Sequence, residues 1–223
     1  MNISCQLQKI WNELPASVRL LAVSKQHPAE MILEAYHAGQ RIFGENKVQE
    51  LMAKHEKLPK DIEWHFIGHL QTNKIKYILP FVAMIHSIDS EKLLLAVDKF
   101  AHKAGRKVNV LLQIHIAKEE TKCGFTEEEC LNLLNSGLDK TLNSVCICGL
   151  MGMATFTEDM ATVRSECDKL SSFFGRLKQA FFLSENTFKE LSIGMSEDYH
   201  EAIAAGSTLV RIGSKIFGER QYY

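Results

Sequence analysis

The chain has 223 residues, 46% of them hydrophobic and 24% charged, a composition that excludes a disordered or fibrous protein. Its 26 Lys and Arg against 27 Asp and Glu leave a formal net charge of −1, so no bulk positive charge is on offer to a phosphate backbone or an anionic membrane, and a general nucleic-acid-binding role is not expected. No apolar run approaches the roughly 18–20 residues that cross a bilayer, and the start MNISCQLQKIWNEL lacks the basic lead and apolar core of a signal peptide; the expected location is the cytoplasm, with no membrane partner and with reduced cysteines.

In chain order, the stretch at about 3–14 sets Leu7, Ile10, Trp11 and Leu14 at helical spacing before Pro15, which predicts a helix ahead of the first strand. LLAVSK at 20–25 is apolar until Ser24; Pro28 then opens a helix with Met31, Ile32, Ala35 and Tyr36 on one face, stopped by Gly39. Further strands are predicted at 41–44, 63–68, 82–88, 108–116, 145–151, 190–193 and 208–212, and helices at 46–57, 73–79, 90–104, 127–136, 158–182 and 198–205. Thr126 and Glu129 make a capping box for the helix at 127–136. Cys146 and Cys148 share one face of their strand, which points to core packing rather than a metal site.

Eight strands in this length leave about 28 residues per repeat, which fits an α/β chain folded as a single TIM-type (β/α)8 barrel over residues 1–223. An open doubly wound sheet would carry a glycine-rich first turn, and the first turn here is SKQHP. About ten residues follow the eighth strand, so the N-terminal helix is expected to cover the gap left by a missing eighth helix.

In such barrels the residues just after each strand carry the chemistry. Lys25 ends the first strand; pointing into the barrel mouth it would be partly desolvated, which favours the neutral amine needed for Schiff-base formation. After strand seven, GMSEDYHEA offers Ser196 as a helix N-cap beside free backbone N–H groups. After strand eight, RIGSKIFGER offers Gly213 for close backbone approach and Ser214 as a hydroxyl. These two loops are where barrels commonly bind phosphate. Arg211 sits inside the apolar strand TLVRIG, on the face shared by Leu209 and Gly213; a buried guanidinium needs acceptors, either a barrel carboxylate or a ligand. A strand-end lysine, a phosphate loop and an inward arginine together suggest pyridoxal 5′-phosphate, with Lys25 at the aldehyde and Arg211 at the ring nitrogen. His65 and His69 have i, i+4 spacing but no H-E-x-x-H carboxylate, so zinc is not expected.

The ordered motifs LLAVSK, FGENKVQE, WHFIGHLQTNK, HSIDS, GLMGMAT, LSIGMSEDYHEAI and VRIGSKIFGER, spread over residues 20–220, resemble the pyridoxal phosphate homeostasis protein family. The resemblance implies a monomeric barrel similar to the N-terminal domain of alanine racemase, with the cofactor held by Lys25 as a Schiff base. It places Asn46 and His65 in rim motifs that line the pocket, Ser196, Gly213 and Ser214 at the phosphate, and Arg211 at the pyridine nitrogen. Ser214 stands where the family usually has threonine, Lys215 where it has a small residue, and His115 and Cys123 depart from the usual pattern in their loop. A role for Lys118 or Lys122 as a second transfer site stays open.

An arginine at the ring nitrogen leaves that nitrogen neutral and the ring a weak electron sink. The chain as given has no length for the second domain that supplies a racemase's opposing acid/base, and His65 and His86 are the local candidates for proton transfer. The expected function is therefore a pyridoxal phosphate binding protein that limits the free aldehyde and delivers it to apo-enzymes. An amino-acid racemase of the alanine racemase type is the alternative from the enzyme class, and a sugar-phosphate-binding barrel without a Schiff base the third.

Overall fold

Short parallel strands buried on both faces need helices outside them and a neighbour on each edge, and this sequence meets both needs by closing the sheet. The computed structural model describes residues 2–117 and 124–218. It forms a closed barrel of eight parallel strands in sequential order: β1 (Arg19–Val23), β2 (Ile42–Glu45), β3 (Glu63–Phe66), β4 (Met84–Ile88), β5 (Val108–Gln113), β6 (Val145–Met151), β7 (Glu190–Ser192) and β8 (Leu209–Ile212). Helix α1 (Ile3–Glu13) precedes β1. The connecting helices are α2 (Ala29–His37), α3 (Val48–Lys57), α4 (Ile75–Ile78), α5 (Glu91–Lys103), α6 (Glu127–Asn135), α7 (Met160–Phe181) and α8 (Tyr199–Ala204). The expected barrel is thus the observed one, and the segments predicted from periodicity carry its strands. Lys118, Lys122 and Cys123 lie outside the described residues.

Three local expectations change. A one-turn helix, α9 (Ser214–Phe217), follows β8, and α1 packs against both α9 and α2, so the two share the gap at the closure. The segment expected to be helical at 73–79 begins as a 3-10 turn over Thr72–Lys74. Ser196 does not cap α8; Asp198 holds the N-cap position, and its carboxylate accepts the Met195 N–H. The Thr126–Glu129 capping box is present with both reciprocal bonds.

The main core lies between sheet and helices and takes the apolar faces of α1, α5 and α7, including Leu7, Leu94, Val97, Leu170 and Phe173. The barrel interior is different. Its apolar part is small: Leu21, Val23 and Leu209 form one cluster, and Met84, Leu111, Cys148 and Met151 another, packed by Cys146. The Cys146 and Cys148 sulfurs lie 3.7 Å apart inside that second cluster, a packing role. Beside these, buried His65, His86, Ser192 and Arg211 occupy the interior. His86 on β4 bonds Ser192 on β7 at 3.0 Å, and because β5 and β6 separate those strands, the contact spans the barrel.

Two features fix the backbone where the site is built. The first is a clamp under the loop after β1. Gln26 adopts φ +64°, a left-handed conformation that costs a non-glycine residue about 1–2 kcal/mol. Its N–H donates to Glu50 Oε1 at 2.6 Å. Lys54 Nζ ties that carboxylate to Glu45 Oε1 and to the Ser24 carbonyl, each at 2.7 Å, and Ser24 Oγ donates to Glu45 at 2.6 Å. Lys25 therefore leaves β1 from a pinned backbone. The second is a register shift between β5 and β6, where Val110 pairs Ile147 but Leu111 pairs Gly149. Gly149 has φ +149°, and a Cβ there would sit 1.8 Å from the Glu190 carbonyl oxygen.

Two substitutions and a pH titration probe this scaffold. Gly149→Ala is expected to destabilise by about 3 kcal/mol through strain and backbone collision. Gly175→Ala, inside α7 with nothing within 4 Å of the added Cβ, should stabilise by about 0.5–1 kcal/mol, both read from urea unfolding midpoints. Burial pushes the Glu45 carboxyl up to about 7, against the opposing pull of Lys54. A carboxyl whose folded value exceeds its unfolded one favours the fold most below the unfolded value, and that contribution is lost as pH rises through about 7. Unfolding free energy should fall across that window, and Glu45→Gln should flatten the fall.

Candidate functional site

Parallel strands all present their C-terminal ends to one rim, and at this rim the barrel opens into a cavity of about 660 Å³. Six of the seven residues singled out from sequence line it: Lys25, Asn46, Ser196, Arg211, Gly213 and Ser214. Lys25 is half-buried at the end of β1. Asn46 follows β2, and its Oδ1 is buried without a hydrogen-bond partner among the described residues, an acceptor left for a ligand. Gly68 packs so closely on Asn46 that a Cβ would lie 2.2 Å from the Asn46 carbonyl oxygen, a close backbone approach beside the cavity.

His65 is the exception. It is fully buried in β3 and is absent from the cavity wall; its Nδ1 lies 2.8 Å from His86 Nε2 and its Nε2 3.0 Å from Glu63 Oε1. Alternation explains the difference. His65 points into the barrel one step below Ile67, and Ile67 and Gly68 reach the cavity instead. The rim histidine is His69, exposed and paired with Asp89 at 3.1 Å, and among the described residues no cluster of three metal-ligating side chains forms.

The two loops expected to bind phosphate come together. Gly213 N–H donates to Ser196 Oγ at 3.3 Å, and a Cβ at position 213 would lie 3.0 Å from the Val23 carbonyl oxygen, so a larger residue would crowd the end of β1. Among the described residues, the backbone N–H groups of Ser196, Glu197, Ser214 and Lys215 have no acceptor, and Ser196, Glu197 and Ser214 line the cavity. Free N–H groups beside two hydroxyls make an anion-binding concavity.

Arg211 rises from β8 between these loops and is fully buried. Burial pushes its guanidinium down to about 10, against the pull of Asp198, so it stays charged at neutral pH. Among the described residues it forms no ion pair. Its NH1 donates to Ser192 O and Oγ at 2.7 and 2.8 Å, and its NH2 to Gly152 O at 2.8 Å. These bonds use three of its five N–H groups, and the charge itself lacks a carboxylate. The alternative of a barrel salt bridge is therefore not what the arginine does.

Sequence reasoning passed over the supports of this site. Glu166 in α7 is buried and accepts Thr155 N–H and Thr155 Oγ–H, each at 2.8 Å, which ties the loop after β6 across the cavity mouth. Ser192 and Glu45 were legible only as members of longer motifs, and Lys54 only as part of the helix predicted at 46–57; a polar residue amid an apolar strand was the available signal for Ser192.

The alanine racemase N-terminal domain model matches residues 2–221. The pyridoxal phosphate homeostasis protein of Aquifex aeolicus is 40% identical over 205 residues, covering 92% of this chain and 88% of the relative. That of Mus musculus is 38% identical, covering 94% and 80%. Among solved structures, PipY of Synechococcus elongatus with PLP bound superposes with a TM-score of 0.88 at 37% identity, over 97% of this chain and all of that one. Alanine racemase from E. faecalis, at 15% identity and a TM-score of 0.76 over 98% of this chain and 58% of its own, shares the fold. No helix of the described residues is long and apolar enough to cross a membrane. A barrel with this rim, matched over nine-tenths of its length at this identity, places the chain in the pyridoxal phosphate homeostasis protein family, within the alanine racemase N-terminal domain fold.

Proposed function

We propose that this protein binds pyridoxal 5′-phosphate in the rim cavity, holds it as a Schiff base on Lys25, and serves cytoplasmic cofactor homeostasis by releasing it to apo-enzymes. The reading rests on one observation: an amine, an anion concavity and an unpaired buried guanidinium, from opposite ends of the chain, line a single cavity. The group fits the residues present. Its phosphate matches the unused N–H groups of the loops after β7 and β8, with the Ser196 and Ser214 hydroxyls beside them. Its ring nitrogen is an acceptor for an N–H that Arg211 has left after bonding Ser192 and Gly152. Asn46 Oδ1, otherwise unpartnered, faces the same space. The structure of PipY with PLP bound, a neighbour at 37% identity, supports pyridoxal 5′-phosphate as the ligand.

The bound aldehyde supplies an electrophile that condenses reversibly with primary amines. This chain's residues supply position rather than proton traffic. Lys25 extends from the pinned loop, and the phosphate loops fix the opposite end of the ligand. Arg211, charged at neutral pH, donates to the ring nitrogen and does not protonate it, which leaves the ring poorly suited to carry a negative charge. Holding and release are therefore favoured over racemisation, and a single chain contains every group this role needs, in keeping with a monomer.

Borohydride reduction after loading with pyridoxal 5′-phosphate, followed by peptide mass spectrometry, is expected to find the adduct on Lys25, and Lys25→Ala should abolish the absorbance band of the loaded protein. An unmodified Lys25 would overturn the reading. Rapid exchange of the α-hydrogen of free amino acids into deuterated water would instead replace the holder with a racemase. Replacing both Ser196 and Ser214 by alanine should weaken binding of the phosphate ester by about tenfold while leaving unphosphorylated pyridoxal nearly unaffected.

A further inference from the structure

Five polar side chains run in a single file through the barrel from the cavity to its opposite end. Arg211 NH1 lies 2.8 Å from Ser192 Oγ; Ser192 Oγ lies 3.0 Å from His86 Nδ1; His86 Nε2 lies 2.8 Å from His65 Nδ1; His65 Nε2 lies 3.0 Å from Glu63 Oε1. Ser192, His86, His65 and Arg211 are all buried, whereas Glu63 begins β3 and its side chain is 42% exposed, paired to Arg19 at that end.

The two ends dictate the direction of every bond between them. A guanidinium can only donate and a carboxylate can only accept. Glu63 is held in its charged form by the hydrogen bond from His65, which keeps its carboxyl below the usual range. Arg211 therefore donates to Ser192 Oγ, and the serine hydroxyl donates to His86 Nδ1. His86 then carries its proton on Nε2 and donates to His65 Nδ1, and His65 carries its proton on Nε2 and donates to Glu63. Each ring nitrogen in the file has one role, each ring needs one proton, and the Ser192 hydroxyl accepts at one end and donates at the other. The reverse direction would make His65 doubly protonated in a fully buried site and would leave the Ser192 hydroxyl hydrogen without an acceptor among the described residues. Burial lowers the affinity of both imidazoles for a second proton, with the drop at His86 deepened by His65 and Arg211.

We propose that Ser192, His86 and His65 are positioning residues for Arg211, linked in a one-way hydrogen-bond file that ends on Glu63 and sets how the guanidinium meets the ligand in the cavity. The proposal rests on the reading that Arg211 faces the ring nitrogen of pyridoxal 5′-phosphate. Ser192 is the coupling point: its carbonyl and hydroxyl both bond NH1, so a hydroxyl turned by His86 orients one arm of the guanidinium while the Gly152 carbonyl fixes the other. The carboxylate at the far end also gives the unpaired arginine charge a polarised path to a counter-ion that it does not touch.

Nitrogen-15 NMR of the unliganded wild-type protein is expected to show both buried imidazoles neutral and protonated on Nε2. An Nδ1–H tautomer or a charged ring at either position overturns the file whether or not the cofactor binds, so this arm fails separately from the proposed function. Two substitutions test the coupling, with thermal melting used to verify folding. In glutamine the amide oxygen can accept where Nδ1 did and the amide nitrogen donate where Nε2–H did, whereas leucine fills the space and breaks the file. His86→Leu is expected to weaken pyridoxal 5′-phosphate binding by about tenfold and to shift the absorbance maximum of the loaded protein, and His86→Gln to recover most of both changes. If His86→Leu binds as tightly as the wild type, or if leucine is the better-tolerated of the two, residue 86 is packing alone and the proposal falls.

Discussion

Closure of the sheet between β1 and β8 is the constraint on which the rest of the site depends. The pairing sets Leu21 against Arg211 and Ala22 against Ile212, and that register carries the end of β1 alongside the turn after β8. Lys25, near the start of the chain, and Gly213, near its end, come to one cavity only because these two strands pair. Gly213 makes the pairing close: a Cβ would press on Val23 from 3.0 Å. Without the closing ladder the amine and the anion loops would sit on opposite edges of an open sheet. With it, the loops after β7 and β8 fall beside the lysine, and their separation from it is set by backbone geometry rather than by side-chain reach.

The interior of the barrel shows what such a site costs. Barrels of this type are usually filled by branched aliphatic layers, and a buried guanidinium without a carboxylate partner is expensive. Here the aliphatic layer is thin, and the space it leaves is taken by groups whose hydrogen bonds are matched one to one from Arg211 to Glu63. A partly matched file would be worse than an apolar filling, since each unsatisfied buried polar group costs about 1–3 kcal/mol. The matching therefore explains why two histidines and a serine share an interior that three leucines would otherwise occupy. It also explains the Arg19 and Glu190 side chains at the lower rim, paired at 2.9 Å. They surround the exposed end of the file with charges that water and each other satisfy.

Much of this was legible in the sequence because it depends on local period and spacing. Alternation placed Arg211 inward, the ends of apolar runs located Lys25, and glycine and serine after strands seven and eight marked the anion loops. What the sequence hid is contact across the barrel. His65 read as a pocket residue because its motif reaches the rim, yet its side chain points to a level that only His86, on the next strand, and Ser192, beyond two more, can complete. Nothing within a few residues of any of the three announces the other two. The same holds for the clamp below Gln26, whose members come from β2, α3 and the first loop. Helix α9 was missed for a simpler reason: four residues are too few to display a helical period.

The file that steadies Arg211 also decides which groups are left for chemistry at the cavity. His65 and His86 were the histidines that sequence offered for proton transfer, but each ring nitrogen of both is engaged within the barrel, and neither ring lines the cavity. A proton could leave His86 toward the ligand only by breaking the bond that orients Ser192, and with it the seat of the guanidinium. His69, the remaining histidine on the wall, sits exposed at the mouth and is paired with Asp89, where solvent exchange competes with any directed transfer. Positioning and proton transfer would thus draw on the same imidazoles, whose ring nitrogens are all occupied by contacts within the barrel. The described cavity wall therefore presents Lys25 and the loops after β7 and β8 directly, while both imidazoles stand behind Arg211 and reach that wall only through Ser192.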